Sequence, residues 1–333
     1  MEPQAGSPID IHRRVLVTGG CGFIGRHLAS KVAASGCEVA IVDDFSTGSR
    51  DFVGGLPSSL RCYEGSVTDL PFLQSVFQEF RPQMIFHLAS LVGMKLTTSR
   101  PRETYDVSVT GATNLLRLAR ETPMVLFSSS AVYGRECRAL DAEELRGAAL
   151  DYDGGMPGYA SGKLEAERMC AAAPGPVLMV RPFNVVGPGQ SDRYGMVMPA
   201  FIRRAMAGDS LTVYDDGRQE RTFAGVDAFL DALWRLLASS AAWRSRRAYD
   251  LGNNRAISIL DLARLVGRTC ECEISIEHRP YADAFPGKTD VRRRLPRLDA
   301  VQTLIGKLEW PPIEQIVREL VAHHQTEGVR CVS

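Results

Sequence analysis

Through the first half of the chain, short apolar runs alternate with longer stretches in which apolar residues recur every three or four positions. The runs "RVLVT", "EVAIVD", "QMIFHLAS", "MVLFSSS" and "PVLMVRP" predict buried strands, too uniformly apolar to leave a face in water. Between them, "FIGRHLASKVAASG", "LPFLQSVFQEF" and "ETYDVSVTGATNLLRLARE" predict amphipathic helices. This alternation implies an α/β fold, a parallel sheet covered by helices on both faces. Past about residue 185 the regularity weakens into Gly and Pro clusters such as "VVGPGQSDRYG" and shorter elements. A smaller second domain over 185–333 is expected there, forming a wall or lid against a first domain over 13–184.

The first predicted strand runs into Gly19-x-x-Gly22-x-x-Gly25, and a helical pattern opens near Phe23. A strand, a tight glycine turn and a helix N-terminus together present backbone N–H groups to a pyrophosphate, with the helix dipole assisting. Asp43 closes the next strand, placed to accept hydrogen bonds from an adenosine ribose. A carboxylate there repels a 2′-phosphate, so NAD is expected rather than NADP.

In "PGYASGKLEAERMCA", Tyr159 and Lys163 stand four residues apart on one face of a predicted helix. An ammonium beside a phenol favours the phenolate and makes a usable base. The strand end "FSSSAVYG" precedes this helix, and strand C-termini face the ligand crevice in such sheets, so one of its hydroxyls can reach a substrate.

Composition narrows the function classes. Among 333 residues, Lys+Arg 39 balances Asp+Glu 39, so bulk charge favours neither nucleic acid nor an anionic membrane, and an anionic ligand must be met by local arginines. No run of eighteen apolar residues suggests a membrane span. The first dozen residues read as a disordered leader without a secretion signal. Cys21, Cys37, Cys62, Cys137, Cys170, Cys270, Cys272 and Cys331 are scattered without a disulfide framework, which suggests a reduced, cytoplasmic setting. Cys270 and Cys272 form a C-x-C pair with no second pair or His cluster at zinc spacing. That is expected to be a packed pair near a strand, and no metal is expected. His323 and His324 are expected on a solvated helix face.

"VTGGCGFIG" resembles the glycine signature of the extended short-chain dehydrogenase/reductase superfamily, contributed by Gly19, Gly22, Phe23, Ile24 and Gly25. "DDFSTG" (Asp43, Asp44, Ser46, Thr47, Gly48) resembles its ribose loop, and "GSVTD" its adenine-contacting segment with Val67 and Asp69. "HLAS" (Leu88, Ala89, Ser90) resembles the strand end that lines the cofactor. The resemblance implies a Rossmann-type doubly wound parallel sheet with a smaller C-terminal substrate-binding α/β domain. It also makes Tyr159 and Lys163 the superfamily's Tyr-x-x-x-Lys pair, with Lys163 on the nicotinamide ribose, and selects Ser129 as the catalytic hydroxyl.

Nearly the whole chain resembles one branch, the NAD-dependent epimerases and dehydratases of nucleotide sugars. "RPFNVVGPGQ" resembles its substrate-domain entry, with Asn184 donating to the diphosphate. "GRQERTFAGVD" and "TDVRRRLPRLD" resemble its arginine elements, implying Arg221 and either Arg292 or Arg293 as diphosphate clamps, with Ser130 near the sugar. The implied chemistry is oxidation of sugar C4 to a ketone. In the branch's 4,6-dehydratases an Asp-Glu pair follows the catalytic hydroxyl; Ser130 and Ala131 stand here, so a UDP-sugar 4-epimerase is the leading expectation. A 5,6-dehydratase acting on UDP-N-acetylglucosamine is the alternative, with Lys95, Cys137 or Tyr159 as the base, and a catalytically silent NAD sensor is the reading from another class. Ser108, Gly162, Thr222, Gly225 and Ala228 depart from the branch's usual residues. A homodimer through the helices near 101–120 and 157–173 is also expected by resemblance.

Overall fold

The computed structural model describes residues 13–54, 60–135, 142–152, 155, 157–193 and 195–330. The expected leader and Cys137 lie outside the described residues. Six strands of the first half, β1 (Arg14–Thr18), β2 (Glu38–Asp43), β3 (Leu60–Glu64), β4 (Met84–His87), β5 (Met124–Phe127) and β6 (Val177–Pro182), join β11 (Ala248–Leu251) in one sheet. Its order is β11-β6-β5-β4-β1-β2-β3 and every pairing is parallel. The order reverses between β1 and β4, and that switch point opens a crevice at the strands' carboxyl ends.

Successive residues of each strand feed opposite faces of the sheet. Leu16, Val42, Ile85, Leu126 and Met179 enter one core, covered by α3 (Leu70–Phe80), α5 (Pro101–Ala119) and α7 (Tyr159–Ala172). Val15, Val17, Ile41, Phe86, Val125 and Val180 enter the other, covered by α1 (Phe23–Ala34), α9 (Val226–Leu237) and α13 (Asp299–Ile305). A sheet buried on both faces needs apolar residues at consecutive positions, which is why its strands read as unbroken hydrophobic runs.

The short elements of the first half are α2 (Asp51–Gly54), α4 (Met94–Ser99), a 3₁₀ turn at Ser130–Tyr133 and α6 (Ala142–Tyr152). The remaining elements build a smaller lobe and return to the large one. The small strands are β7 (Val185–Val186), β8 (Leu211–Tyr214), β9 (Glu220–Thr222), β10 (Ala224–Gly225), β12 (Ala256–Ser258), β13 (Ile276–Arg279) and β14 (Arg293–Arg294). Helices α8 (Val197–Met206), α11 (Ile259–Thr269) and α14 (Ile313–Arg330) pack a third core around Phe201, Ile202, Leu262, Val266 and Val317. Helices α10 (Ser240–Arg244) and α12 (Tyr281–Ala284) complete the chain.

Part of 185–333 thus belongs to the large lobe. The chain returns after 225 to supply α9, α10 and β11 to the large lobe, because β6 would otherwise end the sheet with an open row of backbone donors and acceptors. Neither β3 nor β11 stood out among the apolar runs: β3 is an edge strand with an exposed Arg61, and β11 is only four residues long. His323 and His324 are half-buried rather than solvated, with ring centroids 6.0 Å apart. Cys270 and Cys272 pack against the third core between α11 and β13, with Cys270 as the C-cap of α11. Among the described residues no helix is long and apolar enough to cross a membrane.

Candidate active site

The crevice is a cavity of about 750 Å³ running between the lobes. At one end lies the turn between β1 and α1. Gly19 adopts φ +70° and donates its N–H to Val42 O at 2.8 Å. A Cβ on Gly25 would lie 2.1 Å from Gly19 O, so no side chain fits there and the α1 N-terminus comes close against the turn. Asp43 projects beside it: its Oδ2 accepts from Cys21 N and its Oδ1 from Phe45 N, both at 2.9 Å. Burial raises the Asp43 pKa, and these backbone donors oppose the rise.

Phe23, Ile24, Asp44, Ser46, Thr47, Val67, Leu88, Ala89 and Ser90 line the same end with Gly19, Gly22, Gly25 and Asp43. Two expected contacts are placed otherwise. Asp69 is exposed, lies outside the lining, and spends Oδ1 on Phe72 N at 3.0 Å as the N-cap of α3. Gly48 also lies outside the lining; a Cβ on it would come within 2.9 Å of Asp43 Oδ1, so its part is to let the loop close over the carboxylate. A tight turn that excludes side chains, a free-running helix N-terminus and a carboxylate at the end of β2 fit the pyrophosphate and ribose of NAD.

In the middle of the cavity Tyr159, the first residue of α7, is half-buried, and Lys163 follows one turn later, 3% exposed. Lys163 Nζ donates to Phe127 O at 2.8 Å, which anchors the helix to the end of β5. The helix starts there because Ser161 Oγ accepts from Gly158 N at 2.8 Å. A Cβ on Gly162 would meet Tyr105 Cα at 3.0 Å, so this glycine lets α7 lie close on α5. Ser129 caps the 3₁₀ turn, with Oγ accepting from Ala131 N at 3.1 Å, and lines the cavity together with Ser130. Ser128 also reaches it, with a buried Oγ that has no hydrogen-bond partner among the described residues. His87, fully enclosed beneath this floor, bonds Thr18 Oγ1 at 2.8 Å and is pushed down to about 3 by burial and then by Lys163, so it is neutral.

Burial pushes the Lys163 pKa down to about 8, against the pull of Glu167 and Cys170. Below that pH the native state carries a desolvated ammonium. A pKa depressed on folding adds stability that is complete above the unfolded value of 10.5 and disappears as pH falls through about 8. Replacing Lys163 by Met is expected to stabilise the cofactor-free protein at pH 7 by about 2 kcal/mol, after subtracting the lost bond to Phe127 O. The advantage should shrink as pH rises from about 8 to 10.5. Urea unfolding at several pH values checks it, and a variant less stable than wild type at pH 7 would refute it.

Behind the reactive face lies a buried polar network. Arg181 on β6 grips Glu167 of α7 through two bonds of 2.8 and 2.6 Å, and donates to Tyr133 Oη at 2.7 Å. Tyr133 in turn donates to Asp250 Oδ1 on β11 at 2.8 Å. The network clamps α7, the 3₁₀ turn and two strands, so it sets the spacing between Tyr159 and Ser129.

The far end is built by the small lobe. Asn184, at φ 39°, donates Nδ2 to Thr222 O at 2.8 Å and lines the cavity. Arg221 lines it too, held by Asp290 Oδ1 and Val291 O, each at 2.6 Å. The second arginine is Arg294, beside Arg221 in the β14–β9 register and bonded to Gly134 O at 2.9 Å. Arg292 and Arg293, the expected clamps, turn to solvent and pair with Asp216 at 2.7 Å and Glu220 at 2.9 Å; neither lines the cavity. Alternation along β14 separates the outward Arg293 from the inward Arg294, while Arg292 lies just before the strand and is held outward by Asp216. Sequence reasoning also missed the aromatic corner of Tyr214, Tyr281 and Phe285, whose ring centroids lie 4.9–5.8 Å apart at this end. Lys95 of α4 lines the cavity and is exposed.

The pattern of the NAD dependent epimerase/dehydratase family matches residues 15–252. The chain is 31% identical over 293 residues to UDP-N-acetyl-alpha-D-glucosaminuronate decarboxylase of Bacillus cytotoxicus, covering 85% of this chain and 89% of the relative. It is 31% identical over 307 residues to UDP-glucuronic acid decarboxylase 2 of Arabidopsis thaliana, 90% of this chain and 64% of that longer protein. An epimerase of Methanothermobacter thermautotrophicus shares the fold at a TM-score of 0.83, with 22% identity over 96% of this chain and 94% of the other. The chain belongs to the NAD dependent epimerase/dehydratase family and is an enzyme that works with NAD.

Proposed function

We propose that the chain oxidises C4 of a nucleotide-diphosphate sugar, a UDP-sugar, and then restores the alcohol with inverted configuration, as a UDP-sugar 4-epimerase. The observation that carries this reading is the meeting of Tyr159, Lys163 and Ser129 with the glycine turn in one cavity. Bound NAD would supply the acceptor and donor of hydride. Tyr159 Oη takes the proton of the C4 hydroxyl, Ser129 Oγ orients that hydroxyl, and Lys163 places positive charge beside the phenolate. Arg221 and Arg294 neutralise the diphosphate, and Asn184 borders it. Ser130 and Ala131 stand at the start of the 3₁₀ turn and line the cavity, so no carboxyl group is available there to protonate a departing C6 hydroxyl, which disfavours 4,6-dehydration.

A second reading is decarboxylation, favoured by the likeness to two decarboxylases of UDP-hexuronates over most of the chain. With C4 oxidised, a hexuronate is a β-keto acid and loses carbon dioxide without an acid for a leaving hydroxyl, so Ala131 does not count against it.

The test offers UDP-glucose, UDP-N-acetylglucosamine and UDP-glucuronate to the NAD-loaded protein in deuterated water, with products identified by NMR and mass spectrometry. Inversion at C4 without solvent label is the expected result. Loss of carbon dioxide from UDP-glucuronate alone would replace epimerisation by decarboxylation. Label at C5 with loss of water would mean dehydration, and NAD binding with no turnover of any sugar would leave the sensor reading.

A further inference from the structure

The geometry points to Cys21 and Cys62 as a reversible disulfide site that, once oxidised, weakens NAD binding. Cys21 stands inside the glycine turn, is 2% exposed, and lines the NAD end of the cavity. Cys62 lies on β3, opposite Ile41 of β2 in the sheet register, and is half-buried. Ile41 is the residue on which the turn rests, since a Cβ on Gly20 would lie 2.6 Å from its Cγ1. Both cysteines pack into the same core layer with Ile41, Cys62 beside it in the sheet and Cys21 next to the Gly20 that rests on it, and each thiol affects the ionisation of the other.

The two sulfurs have complementary parts to play. Cys62 is reachable from solvent, and the neighbouring Cys21, with a smaller part from Arg50, favours its thiolate against burial; Cys62 and burial hold Cys21 as a thiol. Asp43 and Glu64 face Cys62 and oppose its ionisation. With a small-molecule disulfide such as oxidised glutathione as oxidant, the Cys62 thiolate attacks one sulfur and expels one glutathione thiolate. Cys21, giving up its proton, then displaces the second glutathione thiolate from the mixed disulfide. The protein loses two electrons and two protons and the oxidant becomes two thiols, so the exchange balances.

The consequence for NAD follows from what Cys21 holds. Its N–H carries Asp43 Oδ2 at 2.9 Å, and its carbonyl accepts from Ser49 N at 3.1 Å. A disulfide replaces van der Waals separation of the two sulfurs by a covalent bond. Cys21 is thereby drawn toward β3, and the turn, the Asp43 carboxylate and the ribose loop move with it. Because the closed turn is what NAD binds, saturating NAD opposes the cross-link to the same degree that the cross-link opposes NAD.

The experiment treats the reduced full chain with oxidised glutathione, maps cross-linked peptides by mass spectrometry, and measures NAD affinity before and after. A Cys21–Cys62 peptide pair is expected, with NAD affinity lowered about tenfold or more and restored by dithiothreitol. Cys62→Ser and Cys62→Ala should bind NAD normally and lose the response, while Cys270→Ser should keep it. Saturating NAD should slow the cross-link. Absence of the Cys21–Cys62 pair after oxidation would overturn the proposal, as would a pair that forms with NAD affinity unchanged.

Discussion

Replacing Tyr159 by Phe is expected to lower kcat on the UDP-sugar turned over by about 10²–10⁴-fold while NAD stays bound. The substitution removes one ionisable oxygen and leaves the ring that fills the start of α7. On the proposed reading NAD is held chiefly by the glycine turn and Asp43, and the substitution touches neither. The loss should fall on kcat with KM nearly unchanged, because the proton transfer is made in the transition state and not in the bound ground state. Equilibrium dialysis for NAD and steady-state kinetics give the two readouts. Turnover within about tenfold of wild type would remove the phenol from proton transfer.

Breaking the clamp behind the site should have the largest effect on stability. With Arg181→Met, Glu167 is left buried without its guanidinium, and Tyr133 loses a donor. Removing one partner of a buried ion pair costs about 3–5 kcal/mol, because the stranded charge keeps its desolvation penalty. A lower urea midpoint is expected, and the double replacement Arg181→Met with Glu167→Leu should recover much of the loss, since the stranded Glu167 carboxylate is then gone while Asp250 keeps its bonds from Tyr133 and Arg297. A single variant as stable as wild type would show that water reaches Glu167 and that the network is not the clamp described.

Much of this architecture was legible in the chain because periodicity and burial coincide. The apolar runs beginning at Arg14, Glu38 and Met84 are strands of the sheet, and "LPFLQSVFQEF" is α3 from end to end. The glycine turn and Asp43 stand out because they follow strand ends, Tyr159 and Lys163 because they share one helix face, and Ser129 only through the family resemblance; the structure brings them to one cavity. What could not be read depends on direction across a strand or on contacts distant in sequence. "RRR" does not say which guanidinium points inward until β14 is paired with β9. Asp69 carries the spacing of an adenine contact, yet it stands three residues before an unpaired helix N–H and caps it. The Cys21–Cys62 contact joins a turn to an edge strand, and the aromatic corner joins β8 to α12; neither leaves a local pattern.

The path of the chain between its two lobes has a mechanical outcome. It crosses from one core to the other at 185–186, 223–224, 251–259, 276–298 and 310–316. Lobes joined by a single tether can swing apart; these are laced by several straps in parallel, each of which must bend before the gap can widen. Changing the distance between the floor that carries Tyr159 and the wall that carries Arg221 therefore takes the bending of all of these straps together.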